Sequence, residues 1–233
     1  MSVTPTTVVL GPGQTTALLT LTNEGDTPAR FETTLNAWSE SAAGETELTP
    51  SADIIVFPKL ITLAPRESKK IRIGTELAPQ ASERSYRLIL QELPQIDRET
   101  GQVNIQVLAK ISLPIFLTPR NATAKPAIAG LGLENGVLSF DVVNAGSSRT
   151  IIRELSVQGR GASGEAFNLK TAGWYVLAGG RRRYQVALNA ADCRRASEIA
   201  VTAAGDEPLA VRLPVTPAAC GAATESRFLK TAS

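Results

Sequence analysis

An all-β fold of two sandwich domains is predicted by three features of the sequence. Apolar and polar residues alternate in short runs, and clusters of glycine, proline and asparagine separate those runs. No window keeps a helical repeat over three turns. The 233 residues suffice for two domains of roughly 100–120 residues each.

The first series of runs begins with Val8-Val9-Leu10 and turns at Gly11-Pro12-Gly13. Residues 15–22 follow, with Ala17, Leu19 and Leu21 on one face, and the chain turns again at Asn23-Glu24-Gly25-Asp26. A strand over 31–38 ends at Trp38, and Ile54-Ile55-Val56-Phe57 ends at Pro58. Ile71-Arg72-Ile73 and Tyr86-Arg87-Leu88-Ile89-Leu90 come next. The run over 103–117 is unusually long, more than twice the common strand length of about 5–6 residues. Its odd positions are Val103, Ile105, Val107, Ala109, Ile111, Leu113, Ile115 and Leu117. Two readings fit: a central strand with its apolar face in a core, or a strand partly exposed to receive another chain. Pro114 confines that point to a sheet edge or a bulge. A continuous apolar row on an edge is an aggregation hazard unless it is used.

Residues 118–126 carry two prolines and no apolar periodicity, which marks a connection between domains. A second series follows over 138–143, 151–157, 174–177, 184–188, 199–202 and 209–213. The expected organisation is a first domain over 1–119, a linker over 120–125 and a second domain over 126–220. The polar, small-residue segment over 221–233 is expected to be a disordered tail.

Composition removes several functions. Histidine is absent, so no Ser-His-Asp or Cys-His centre can form. Two cysteines without histidine cannot complete a tetrahedral zinc site, and no metal or cofactor is expected. The acidic pairs Glu45/Glu47 and Glu83/Glu92 read as ordinary surface charges, with no aromatic pocket around them. Gly11-Pro12-Gly13 and Gly179-Gly180 lack the spacing and the following Lys-Ser/Thr of a phosphate loop. The chain is therefore not expected to be an enzyme. A net charge of +2 with 5% aromatics argues against nucleic acid as a partner. No apolar run is long enough to span a bilayer. The start Met1-Ser2-Val3-Thr4-Pro5 carries no signal-peptide pattern, which leaves a cytosolic protein or a mature exported one. Cys193 and Cys220 are either unrelated buried thiols or a disulfide, worth on the order of 3 kcal/mol and diagnostic of an oxidising compartment.

One further set of features carries a resemblance. The first half holds Asn23 with Pro28, Trp38 closing its strand, Phe57-Pro58, Leu63-Ala64-Pro65 and Ile71-Arg72-Ile73. It continues with Tyr86 to Pro94, Tyr-Arg-Leu-Ile-Leu-Gln-Glu-Leu-Pro, and Ser112-Leu113-Pro114-Ile115-Phe116. The second half holds Gly173-Trp174-Tyr175-Val176-Leu177-Ala178-Gly179 and the pair Cys193/Cys220. In this order the set resembles the periplasmic chaperones of pilus (fimbrial) assembly, the PapD-like superfamily, and within it the branch of spore-coat-type, archaic pili.

The resemblance implies two immunoglobulin-like β-sandwich domains in a boomerang arrangement with an interdomain cleft. It implies a periplasmic chaperone that binds pilin subunits 1:1 by donor-strand complementation and delivers them to an outer-membrane usher. No nucleotide, cofactor or membrane insertion is implied, and the free chaperone is expected to be able to cap itself by oligomerising. The matching donor residues are Val103, Ile105, Val107, Ala109 and Ile111. The family also anchors the pilin carboxylate with an Arg on the first strand and a Lys on the long strand. Here the first position is Thr7, and the second falls on Ser112 or Pro114, with Lys110 on the same face. Lys110, Thr7 and Ser112 are thus the anchor candidates, and a Cys193–Cys220 disulfide is predicted. The rival expectation is a structural or adhesive immunoglobulin-like sandwich that self-associates through its edge strands.

Overall fold

A computed structural model of the protein describes residues 1–78, 80–94 and 107–229. The regular structure of the described chain is nearly all strand, and the chain falls into two compact units. One comprises Met1–Trp38 with Leu48–Asn121, and the other Ser39–Glu47 with Ala122–Ser233. The second unit thus includes residues 39–47, which the expected domain of 1–119 had assigned to the first.

Ten strands belong wholly or mainly to the first unit: β1 (Ser2–Thr4), β2 (Val8–Leu10), β3 (Thr16–Thr22), β4 (Ala29–Glu40) and β5 (Thr46–Pro50), then β6 (Ile55–Phe57), β7 (Leu60–Leu63), β8 (Ser68–Gly74), β9 (Arg84–Glu92) and β10 (Lys110–Leu117). They form two sheets, ordered β1-β3-β8-β6 and β2-β10-β9-β4-β5, with β7 added on β4. Alternation decides which side chains face inward. Leu19, Leu21, Ile71 and Ile73 come from the first sheet, and Phe31, Tyr86, Leu88, Leu90, Leu113 and Ile115 from the second. Turn chemistry closes the sandwich ends. The buried Asn23 amide donates to the carbonyls of Thr27 and Ala64 and its oxygen accepts the Gly25 N–H, which ties the predicted 23–26 turn to β7. Tyr86 keeps its hydroxyl bonded to Asp53 while its ring fills the core; burial first, then that bond, push its phenol up to about 12.

The second unit contains β11 (Pro126–Glu134), β12 (Val137–Asn144), β13 (Thr150–Gly161), β14 (Gly164–Ala172) and β15 (Tyr175–Val176). These precede β16 (Arg181–Ala187), helix α1 (Ala190–Arg195), β17 (Glu198–Gly205), β18 (Leu209–Pro214) and β19 (Arg227–Phe228). Its sheets run β11-β12-β16-β19 and β14-β13-β17-β18. Phe140, Val142, Leu155, Val157, Val186 and Val201 fill the space between them. Asn189 caps α1 by accepting the Ala191 and Asp192 N–H groups. Cys193, fully buried on α1, is bonded to Cys220, with Cα atoms 5.8 Å apart.

The expected disordered tail does not hold for residues 221–229. β19 pairs with β16, Leu229 N–H donates to Gln185 C=O, and Ala190 N–H donates to Ala223 C=O. Backbone bonds hold the mostly polar segment down, helped by Phe228, which packs against the core of this unit. The disulfide fixes where it starts.

The hairpin tip grouped with this unit carries a buried carboxyl. Glu40 Oε2 accepts the Leu177 N–H at 3.1 Å, and Gly44 (φ 83°) lies so close to β16 that a Cβ there would come within 2.7 Å of Arg183 N. Burial raises the Glu40 carboxyl to about 7, against the pull of the Leu177 N–H and the Arg182 charge. The folded chain therefore keeps a proton that the unfolded chain releases near 4.5. The associated stability is full below that value and declines as pH rises towards about 7, by on the order of 2–3 kcal/mol. Denaturation midpoints measured from pH 4 to 8 should show this decline in the wild type and lose most of it in Glu40→Gln.

Candidate functional site

The site is built on β10, whose two halves have different surroundings. From Ile115 to Leu117 it lies between β9, paired antiparallel, and β2, paired parallel to Val8–Leu10. From Lys110 to Pro114 it is paired with β9 alone among the described residues. Its backbone parity follows from two bonds at its ends. Ala109 C=O accepts the Glu92 N–H on the β9 side, and Thr118 N–H donates to Leu10 C=O on the β2 side. Odd residues therefore aim their backbone groups at β9 and even residues aim theirs the other way. The N–H and C=O groups of Lys110 and Ser112 thus form an open edge. Pro114, the next even residue, brings no N–H to that edge, which is the position a proline tolerates.

Side chains alternate on the same strand. Leu113, Ile115 and Leu117 enter the core, with Ala109 and Ile111 packed partly against it. Lys110, Ser112, Pro114 and Phe116 take the opposite face. Phe116 is fully buried there, 6.1 Å from Trp38, so the C-terminal half is covered on both sides. Phe116 is one of two apolar residues at even positions of the run, the other being Leu108. The expected strand over 103–117 is shorter where it can be followed. The β10 strand starts at Lys110, and 107–109 carry no regular secondary structure. Val107 is 92% exposed, and Leu108 is exposed as well. Val103 and Ile105 lie outside the described residues.

The anchor candidates gather on one face. Lys110 and Ser112 are exposed on the outer side of β10. Thr7 precedes Val8, which pairs with Ile115, so it continues the row of Pro114 and its antiparallel neighbour Arg87. Arg87 was not singled out from sequence as a site residue. It is 7% exposed, on the outer face of β9, with its guanidinium 3.8 Å above the Trp38 ring. An arginine inside an apolar strand reads as a solvated outer residue. Only the pairing of β4 with β9, which brings Trp38 alongside, reveals it as held flat on an aromatic face. The acidic residues also change their reading. Glu83, expected on the surface, is buried and accepts from the Thr118 hydroxyl, and Glu92 bonds the start of β10.

This geometry can add a strand. An open edge supplies main-chain hydrogen bonds, and a row of apolar side chains next to it supplies burial in a partner. Among the described residues no cluster of metal-binding side chains occurs, and no helix is long and apolar enough to cross a membrane.

Comparisons with known proteins bear on the family and the fold. A family model described as pili and flagellar-assembly chaperone, PapD N-terminal domain, matches residues 1–123. A chain of the CsuC–CsuE chaperone–tip adhesion subunit pre-assembly complex, from archaic chaperone–usher Csu pili of Acinetobacter baumannii, superposes with a TM-score of 0.63 at 19% identity, covering 91% of this chain and 96% of that one. The Pseudomonas aeruginosa CupB2 chaperone matches with a TM-score of 0.57 at 14% identity, over 92% and 100%. The class 5 fimbriae chaperone CfaA gives 0.57 at 15%, over 92% and 99%. At these identities the likeness is one of fold. No curated protein matches the sequence at a significant level.

Proposed function

The chain belongs to the pili and flagellar-assembly chaperone family, and we propose that it holds a pilin subunit by lending it the open edge of β10, then passes it to an outer-membrane usher. It is a chaperone of the all-β, two-sandwich immunoglobulin-like kind and not an enzyme. The observation that carries the proposal is the Lys110–Pro114 edge, unpaired among the described residues, with the exposed Val107 three residues before it. The backbone groups of Lys110 and Ser112 bond the subunit, and the odd side chains Val107, Ala109 and Ile111 fill its groove, continuing the row of Val103 and Ile105.

A subunit carboxylate brought to the outer face of β10 needs a charge-assisted donor once water is excluded. Lys110 provides an exposed ammonium, with Ser112 and Thr7 as neutral donors. Arg87 supplies on β9 the fixed guanidinium that position 7 lacks. The disulfide suits an oxidising compartment, which supports action in the periplasm. Self-capping of the free chain would use the same edge.

Co-expression with a pilin that lacks its last strand tests the proposal. A stable 1:1 heterodimer by size-exclusion chromatography and light scattering is expected. Aggregated pilin with the chaperone recovered alone, or only homo-oligomers of the chain, would overturn it in favour of a self-associating sandwich.

A further inference from the structure

The β9–β10 ladder ends in an irregular way. A facing antiparallel pair of this parity exchanges two backbone bonds, N–H to C=O in both directions. Ala109 and Glu92 make only one of them: Glu92 N–H donates to Ala109 C=O at 2.8 Å. The Ala109 N–H donates instead to the Glu92 side chain, Oε2, at 2.9 Å. The Glu92 carbonyl is contacted by the Gln91 amide at 3.3 Å. Meanwhile β9 itself does not stray. Glu92 stays in register with Phe31 on β4, and Leu93 N–H donates to Arg30 C=O at 2.8 Å. It is therefore β10 that leaves the sheet, at the residue where a carboxylate stands in for a carbonyl.

We infer that Glu92 is a positioning residue for strand donation: its carboxylate stops the chain's own ladder at Ala109 and keeps Val107 and Leu108 out of the pairing with β9. The inference rests on the strand-donation reading above. A carboxylate accepting a backbone N–H forms a stronger bond than a neutral acceptor, and it satisfies Ala109 without a strand beyond it. A row left unstopped would close onto β9 or fray, and in either case the subunit would have to reorganise it before pairing.

The test compares wild type, Glu92→Ala and Glu92→Gln for binding of a pilin that lacks its last strand, with thermal unfolding and the Ala109 amide proton shift of the free chain measured in parallel. Glu92→Ala should weaken the complex about tenfold, the cost of ordering roughly one residue's backbone before it pairs. Its unfolding midpoint should stay at the wild-type value while the Ala109 amide signal moves upfield. Glu92→Gln keeps an acceptor and should recover most of the binding. Unchanged affinity in Glu92→Ala, beside a wild type that binds, overturns the role of Glu92 and leaves strand donation standing. A fall in the unfolding midpoint that Glu92→Gln does not reverse, with binding lost in proportion, shows a merely structural residue and also overturns it. A wild type that takes up no subunit sinks strand donation and this inference together.

Discussion

A Val107→Asp chain is expected to fold like the wild type and to fail to retain a pilin subunit. The side chain is 92% exposed, so the free chain loses no packing and its unfolding midpoint should move by no more than about 2 °C. In a complex the same side chain would enter an apolar groove. An unpaired carboxylate there costs on the order of 3 kcal/mol or more, a loss of at least about a hundredfold in affinity. Val107→Ala removes two methyl groups and keeps the pocket dry, so it should cost roughly tenfold. The graded pair matters because a charge could also act at a distance, whereas a methyl deletion acts only by contact. Subunit recovery equal to wild type in both variants would show that Val107 never enters a groove. Such a result would confine any donated row to residues from Ala109 onward.

The sandwich was legible because its cause is local. Leu19 and Leu21, or Leu88 and Leu90, announce a buried face by alternation alone, and Asn23 and Pro58 announce the breaks. Pro114 placed its neighbourhood on an edge for the same reason, since a missing N–H is a property of one residue. The extent of β10 was not legible. Alternation runs on through 107–109, but a strand needs a partner, and the partner's ladder stops at Glu92. Nothing at positions 107–109 encodes that stop. The part played by Arg87 was hidden likewise, because the ring it lies on is supplied by β4, whose Trp38 is 49 positions earlier in the chain (87 minus 38). Residues 221–229 failed the compositional test in the opposite direction. They are held by backbone pairing and by a covalent tie, and neither leaves an apolar signature.

That covalent tie gives the second large effect. Replacing both Cys193 and Cys220 with alanine should lower the stability of the second unit by about 3.5 kcal/mol, the chain-entropy value for a separation of 27 residues. The loss should be concentrated in what the bond organises. Cys193 is locked in the core through α1, while Cys220 begins the stretch that returns along Gly136, Asn189 and β16. Ala219 C=O accepts the Gly136 N–H at 2.7 Å, and Asn189 donates its backbone N–H to the Ser226 hydroxyl oxygen and its side-chain amide to Thr224 C=O. These bonds are few and the segment is short, so without its anchor the entropy of residues 221–229 should exceed what they return. Hydrogen exchange should therefore find the amides of Arg227 and Leu229 unprotected in the double alanine variant while those of β13 and β17 remain slow. The first unit, which contains neither cysteine, should keep its exchange pattern. If the loss instead spread evenly over both units, the bond would be acting on the fold as a whole. Were β19 to stay protected without the bond, its pairing with β16 would be self-sufficient. The expected result ties oxidation to the edge of β16: reduced chain leaves that edge uncovered at Val186 and Ala187, and unpaired edges are where sandwiches aggregate. A chaperone that reached its compartment unoxidised would then be lost through its second unit, with the donor edge of the first still intact.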